Sequence, residues 1–466
     1  MKIAYTAIFC LLLSSAISGQ QIEPLPLTEA QIRKILNERV EGLAPEGKDI
    51  GIIVGLIKID GIRIISYGST GKESQQLDGN TIFEIASFTK VFTAILLAQM
   101  VQAGDVSLND PVIKYLPQGT RIPERNGRFI TLADLATHTS GLPFMPDPYT
   151  SSADIYKFIA DFKLQRDPGT TWDYSNLGYW LLGQALAARK AMTFEKAIYT
   201  YVIEPLQLKN TAFELSPEMK TRLAVGHDAG LQPTAPTMSL PQYSQMQAAG
   251  GLYSSVNDLL ILLSAAMGYE ESSFTKLISS CLQTNRPTQQ SNDIQGDWQG
   301  LGWSIITDKY DALIYRDGGG LGYTCDAVFD PKNRTGVVVL SNQAAPVGDI
   351  ARHILRPQFP LEHPTSTPHK EISLDVLALK RLVGRYENSG EGVFNISFVT
   401  DHLLFEAPSE WGLPALRIRP ETPTRFFASE LPLRVKLEVN SNQTVTGILI
   451  DPPRGQKAIP AKKNNE

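Results

Sequence analysis

The order of predicted strands and helices restricts the fold of this chain more than any other feature. Two apolar runs, Ile52–Ile59 and Ile62–Tyr67, are joined by Asp60-Gly61, a dipeptide typical of β-hairpins. A long stretch with a mainly helical pattern follows, from Ser87 to about Gly268. Strand patterns then return at 313–315, 324–329 and 337–341. This order predicts an α+β domain in which both ends of the domain form one antiparallel sheet, flanked by helices and carrying a helical subdomain.

The carboxyl-terminal part of the chain predicts a second, smaller unit. Prolines interrupt residues 356–371, which have no apolar period, and we interpret this segment as a linker. Beyond it, apolar and polar residues alternate over 433–440, the pattern of a half-buried strand. We therefore predict four parts: a signal peptide at 1–19, a main domain at 20–355, the linker, and a small all-β module at 372–466.

The first residues have the composition of an export signal. Lys2 precedes the apolar run Ile3–Leu13, and small residues follow up to Gly19. The run is shorter than the roughly 20 residues that span a bilayer, which disfavours a membrane anchor. A secreted or periplasmic protein is expected. The net charge of −5, with no long basic run, gives no indication of a nucleic-acid partner.

Ser87 and Lys90 are the first candidates for catalysis. Residues three apart lie on one face of a helix, and the apolar stretch 91–101 predicts a buried helix beginning near Ser87. Loss of hydration lowers the pKa of a buried lysine and lets it accept a proton. A serine hydroxyl needs such a partner to become a nucleophile. The pair therefore predicts an acylating serine, although many helices contain Ser-x-x-Lys by chance.

Two further segments can complete an acyl-transfer site. Tyr174 can relay a proton, since a neighbouring ammonium favours its phenolate, and Asn176 can hold Lys90 and bind a substrate carbonyl. In the run 315–323, Gly318 and Gly319 let backbone N–H groups approach developing negative charge. Each segment also has an ordinary structural interpretation, as an aromatic turn before a helix and as a glycine-rich strand connection.

Metal and cofactor chemistry has no support in the sequence. The six histidines form no H-E-x-x-H or other close ligand pair, and no Cys-x-x-Cys occurs. We predict neither a metal nor a cofactor. Removal of the signal peptide would leave Cys281 and Cys325, which can form one disulfide or remain as free core thiols.

Together with these segments, four more motifs give the chain a family resemblance. It resembles the serine hydrolases of the penicillin-binding protein and class C β-lactamase superfamily, which includes DD-peptidases and family VIII esterases. The motifs follow in the family's order and extend the resemblance over roughly residues 30–345: Ile130–Pro143, Glu204-Pro205-Leu206 with Asn210-Thr211, Ala249–Ser255, and Val339–Asn342.

The resemblance implies a role for each candidate. Ser87 is the acylated nucleophile, Lys90 its proton acceptor or electrostatic partner, and Tyr174 corresponds to the class C general base. Asn176 orients the substrate, and the N–H groups of Ser87 and Gly319 form the oxyanion hole. His138 and Ser140 are expected to be scaffold positions. The carboxyl-terminal module resembles lipocalin-like appendages of such hydrolases.

The third motif departs from the family pattern. Arg316-Asp317-Gly318 stands where β-lactamases have Lys-Thr-Gly. Arginine can bind a substrate carboxylate but cannot exchange protons near neutrality, and Asp317 can weaken that attraction. The expected activity is hydrolysis of a β-lactam or a related D-amino-acyl amide, a small or peptide substrate with a carbonyl and a carboxylate. The alternatives are a short-chain carboxylesterase and a non-hydrolytic penicillin-binding sensor.

Overall fold

The computed structural model describes most of the chain after the predicted signal peptide, which lies outside the described residues. Described are 27–44, 49–145, 151–228, 231–239, 243–269, 272–288, 296–307, 312–361, 371–399, 402–408, 415–428, 433–440, 444–451 and 458–464.

Twelve α-helices are found within these ranges. They are α1 Glu29–Leu43, α2 Thr89–Gln102, α3 Leu132–Ala136, α4 Ser152–Asp161, α5 Asn176–Lys190, α6 Phe194–Ile198, α7 Pro217–Arg222, α8 Gln247–Gly250, α9 Val256–Met267, α10 Ser273–Gln283, α11 Gly348–Leu355 and α12 Val376–Lys380. Of the helices in the described ranges, none has the length and apolar character that a membrane crossing requires.

The strands form a central sheet, a carboxyl-terminal barrel and three small ribbons. They are β1 Gly51–Lys58, β2 Gly61–Gly68, β3 Phe83–Glu84, β4 Glu124–Arg125, β5 Arg128–Phe129, β6 Gly226–His227, β7 Pro233–Thr234, β8 Tyr253–Ser254, β9 Arg286–Pro287, β10 Gly296–Gln299, β11 Ser304–Thr307, β12 Ala312–Gly319, β13 Thr324–Asp330, β14 Thr335–Ser341, β15 Gly384–Asn388, β16 Gly392–Val399, β17 His402–Glu406, β18 Leu416–Thr422, β19 Arg425–Ala428, β20 Arg434–Val439, β21 Val445–Asp451 and β22 Ile459–Lys463.

The central sheet joins both ends of the main domain, as the sequence predicts. Its order is β2-β1-β14-β13-β12-β11-β10-β9, with antiparallel neighbours. Helices cover both faces, so strands such as β13 and β14 are buried along their whole length. One face packs on α1 and α11, and the other packs on the helical part that includes α2 and α9. The predicted α+β fold with a helical subdomain is confirmed.

Two local predictions differ from the structure by one or two residues. The hairpin turn consists of Ile59 and Asp60, because Lys58 already pairs with Gly61, which begins β2 at a φ of +134° that favours glycine. The helix predicted to begin near Ser87 begins at Thr89, after a 3₁₀ turn over 86–88.

The carboxyl-terminal strands β15–β22 form a closed eight-stranded barrel. The predicted small all-β module is therefore confirmed. Large side chains such as Tyr386, Phe394 and Phe405 are fully buried in its core. Arg356, the first residue of the segment interpreted as a linker, is buried and forms an ion pair with Asp330 at 3.0 Å. Residues 362–370 of that linker lie outside the described ranges.

Candidate active site

Ser87 lies in the 3₁₀ turn that leads into α2. The preceding residue, Ala86, has a φ of +43°, in the left-handed region that costs a non-glycine residue roughly 1–3 kcal/mol. Strain of this kind persists where the surrounding structure enforces it, and it is concentrated at functional sites. Ser87 is half-buried, whereas its neighbours Ala86 and Phe88 are buried. The turn thus presents one polar side chain from an otherwise apolar segment.

Lys90 is completely buried beneath Ser87. Its Nζ lies 3.0 Å from Ser87 Oγ, 2.8 Å from Asn176 Oδ1 and 2.7 Å from the Ala249 carbonyl oxygen. Burial, and secondarily the charge of Arg316, lower the pKa of Lys90 well below its ordinary value. A neutral amine has two hydrogens and one lone pair. Because the amide and carbonyl oxygens can only accept, they take both hydrogens, and the lone pair is left for the hydroxyl of Ser87.

Tyr174 approaches Ser87 from the other side. Its Oη lies 2.8 Å from Ser87 Oγ, and Arg316 Nη2 donates to the same oxygen at 2.9 Å. The N-cap residue of α5 is Ser175, whose Oγ accepts a hydrogen bond from the Gly178 N–H. Asn176 is then the first residue of α5, and its amide is free to receive Lys90.

Arg316 lies inside the site and not at its surface. The residue is 2% exposed, and its Nε is 3.4 Å from the Ser87 carbonyl oxygen. The sequence predicts a guanidinium facing a substrate carboxylate and weakened by Asp317. The structure instead directs the guanidinium to Tyr174, because successive side chains on β12 point to opposite faces of the sheet.

Gly318 and Gly319 carry β12 past the serine turn. A Cβ at Gly318 would lie 2.1 Å from the Ile85 carbonyl oxygen, so a side chain would separate the strand from the turn. A Cβ at Gly319 would meet nothing within 4 Å, and this residue is exposed. Gly318 therefore permits close packing of the strand on the serine turn, whereas Gly319 leaves the end of the strand open.

All seven residues that the sequence predicts for the site therefore lie in one region of the structure. The Ala249 carbonyl was missed as a partner of Lys90, since no side chain distinguishes it. Cys281 and Cys325 are free buried thiols, which decides between the two alternatives left open by the sequence. In the described part of the chain, no group of three or more histidine, cysteine or acidic side chains is arranged to hold a metal ion.

Solved structures place the main domain in a known fold class. A class C β-lactamase superposes with a TM-score of 0.60 at 21% identity, covering 72% of this chain and all of that one. A β-lactamase/D-alanine carboxypeptidase from Yersinia pestis superposes with a TM-score of 0.57 at 22% identity, covering 69% of this chain and 94% of that one. The fold is thus that of the class C β-lactamases.

The family model for β-lactamase matches residues 38–357, and the chain belongs to the β-lactamase family of serine hydrolases. The D-alanyl-D-alanine-carboxypeptidase/endopeptidase AmpH of Escherichia coli is 28% identical over 374 residues, 73% of this chain and 90% of that protein. A β-lactamase of Yersinia enterocolitica is 27% identical over 356 residues, 69% of this chain and 89% of that protein.

Proposed function

We propose that the protein hydrolyses an amide through an acyl-enzyme formed at Ser87. One observation carries the proposal: Ser87 Oγ lies within hydrogen-bonding distance of both Lys90 Nζ and Tyr174 Oη. An activated serine needs a base and a proton donor for the leaving group, and the two neighbours supply one each.

In acylation, Lys90 is the base and Tyr174 the acid. The lone pair of the Lys90 amine takes the hydroxyl proton while Ser87 Oγ attacks the substrate carbonyl carbon. The tetrahedral intermediate collapses by breaking the bond to the leaving nitrogen, which takes the proton of Tyr174. Lys90 is then an ammonium and Tyr174 a phenolate, stabilised by the Arg316 guanidinium 2.9 Å away.

In deacylation, the two groups exchange roles. The Tyr174 phenolate acts as general base and takes a proton from water as the water oxygen attacks the acyl carbon. The ester bond to Ser87 Oγ breaks, and Ser87 recovers its proton from the Lys90 ammonium. Both groups are back in their starting states, so proton transfers balance over the cycle.

The remaining site residues bind the substrate in this proposal. The backbone N–H groups of Ser87 and Gly319 stabilise the oxyanion, and Asn176 orients the substrate while holding Lys90. The close packing at Gly318 keeps β12 beside the serine turn. Arg316 supports Tyr174 electrostatically.

The substrate class proposed first is a β-lactam or a related D-amino-acyl amide, a small molecule or peptide, because the relatives bear such names. A short acyl ester is the second candidate. It is favoured by the burial of Arg316, which removes the cation expected to bind a substrate carboxylate. We further propose a secreted or periplasmic protein with the parts 1–19, 20–355, 356–371 and 372–466.

A substrate panel tests the proposal: nitrocefin, a D-alanyl peptide and p-nitrophenyl esters, each with wild type and Ser87→Ala. We expect steady turnover of at least one substrate by wild type and none by the variant. Turnover that survives in Ser87→Ala contradicts the proposal. A stoichiometric burst without steady turnover of any substrate would instead identify a non-hydrolytic binding protein.

A further inference from the structure

His138 is a completely buried histidine that contacts the site without touching Ser87. It follows α3 and has a φ of +58°, in the left-handed region. Its ring centroid lies 4.4 Å from that of Tyr174 and 5.0 Å from that of Tyr179. A side chain of this size in a strained backbone conformation is held there by several contacts, most of them with the segment 172–175.

His138 contacts the ring of Tyr174 and the backbone on either side of it. The Asp173 N–H donates to the His138 carbonyl oxygen at 2.7 Å, and the Ser175 N–H donates to His138 Nδ1 at 3.1 Å. The residues before and after Tyr174 are thus tied to the same histidine, whose ring packs on the phenol itself. The two hydrogen bonds fix the backbone on either side of Tyr174, and the ring contact limits the rotation of its side chain, so the position of Tyr174 Oη is restricted.

The imidazole is suited to this task because it is neutral. Burial, and then the charges of Arg316 and Lys90, lower the pKa of His138 well below its ordinary value. The other titratable groups packed against the ring are the phenols of Tyr174 and Tyr179. Since Nδ1 accepts from Ser175, the proton of the neutral ring is on Nε2. An imidazolium would lose the acceptor and add a cation beside Arg316.

We propose that His138 is a positioning residue, which fixes Tyr174 for proton transfer through its ring face and its Nδ1 acceptor. The inference rests on the proposed function of Tyr174. Displacing a reacting group by about 1 Å costs on the order of 10²-fold in rate. A loss of that size is expected when the acceptor is removed.

Two substitutions separate positioning from folding. His138→Phe keeps a ring but leaves the Ser175 N–H without an acceptor. His138→Asn restores an acceptor, because Asn Oδ1 is bonded to Cγ as Nδ1 is, and asparagine is among the residues that adopt positive φ most readily. His227→Asn, at another buried histidine, is the matched control.

The measurement is the acylation rate per functional site in single turnover of an amide, nitrocefin or a D-alanyl peptide, because the leaving nitrogen of an amide takes the proton of Tyr174. Sites are counted by labelling with a fluorescent penicillin or an alkyl fluorophosphonate. We expect a loss of about 10²-fold for His138→Phe, recovery to within about tenfold in His138→Asn, and no change in His227→Asn. A purely structural role would lower the number of functional sites and leave the rate per site unchanged, which would overturn the inference.

Two further outcomes keep the inference distinct from the proposed function. Labelling of Ser87→Ala would defeat the proposed function itself, whatever the His138 variants do. If His138→Phe does not fold, ¹⁵N-histidine NMR of the wild type tests the inference instead, by reporting the protonation state and tautomer of His138. A ring that is still neutral, with its proton on Nε2, at a pH below the ordinary histidine pKa of about 6.5 supports the inference, and an imidazolium or an Nδ1–H tautomer there overturns it.

Discussion

Replacing Arg316 with methionine tests how the site controls its protons. The guanidinium lies 2.9 Å from Tyr174 Oη and is almost fully buried. At an effective dielectric constant of about 20, a unit charge at that distance attracts a phenolate by about 6 kcal/mol. Much of this is offset by desolvation, and a hydrogen bond to a charged group is worth about 1.5–3 kcal/mol net. Since 1.4 kcal/mol is a factor of about 10, we expect a loss of roughly 10- to 10²-fold in kcat.

Replacing Arg316 with methionine should also shift the pH dependence of kcat/KM. The charge of Arg316 helps to lower the pKa of Lys90, so its removal raises that pKa. Because Lys90 must be an amine to accept the serine proton, the acidic limb of the kcat/KM profile should move to higher pH.

Steady-state kinetics over a range of pH, with a carboxylated substrate and with p-nitrophenyl acetate, measure both effects. Arg316→Met should lower kcat for both substrates, and Arg316→Lys, which keeps a cation, should recover part of the loss. A higher KM confined to the carboxylated substrate, with kcat and pH profile unchanged, would refute this reasoning and restore Arg316 as a carboxylate anchor.

Three other predictions follow from the same contacts. Tyr174→Phe should lower kcat by about 10²- to 10⁴-fold in the same assay, and a loss below about threefold would remove the phenol from the mechanism. Burial raises the pKa of Glu84 to about 7, so its contribution to stability is complete below its unfolded value and is lost as the pH rises through about 7. In urea titrations, the unfolding free energy of wild type should fall between about pH 4.5 and about pH 8, and that fall should be smaller by about 3 kcal/mol in Glu84→Gln. An equal dependence on pH in the two proteins would contradict this. Gly318→Ala should lower Tm, whereas Gly319→Ala, where a Cβ meets nothing within 4 Å, should not; equal Tm values would contradict the close-packing argument.

The sequence predicts five of the eight strands of the central sheet, because these strands are apolar and the hairpin has a turn signal, but it does not predict β9, β10 or β11. The barrel follows from alternation, as in Leu433 to Asn440. The site residues are predicted because Ser87, Lys90 and the Tyr174–Asn176 segment each carry side chains with recognisable chemistry. The i, i+3 spacing predicts that Ser87 and Lys90 lie together, whereas the approach of the Tyr174–Asn176 segment to them could be inferred only through family resemblance.

The features of the site that could not be predicted from the sequence depend on side-chain direction and on backbone contacts. The sequence suggests Arg316 as a partner for a substrate carboxylate, and only the structure shows that its guanidinium lies 2.9 Å from Tyr174 Oη. Ala249 lies in a recognised motif, but no side chain indicates that its carbonyl accepts from Lys90, and the packing of His138 on Tyr174 accompanies a left-handed φ at a histidine. Tertiary packing determines each of these features, and local sequence pattern does not.

The central claim is that Ser87 alone among the serines is made nucleophilic by its two neighbours. Intact-mass spectrometry after treatment with an alkyl fluorophosphonate, followed by peptide mapping, tests it most directly. We expect one adduct per chain, located on Ser87 and absent from Ser87→Ala. An adduct on a different residue, or one of equal yield in Ser87→Ala, would contradict the account.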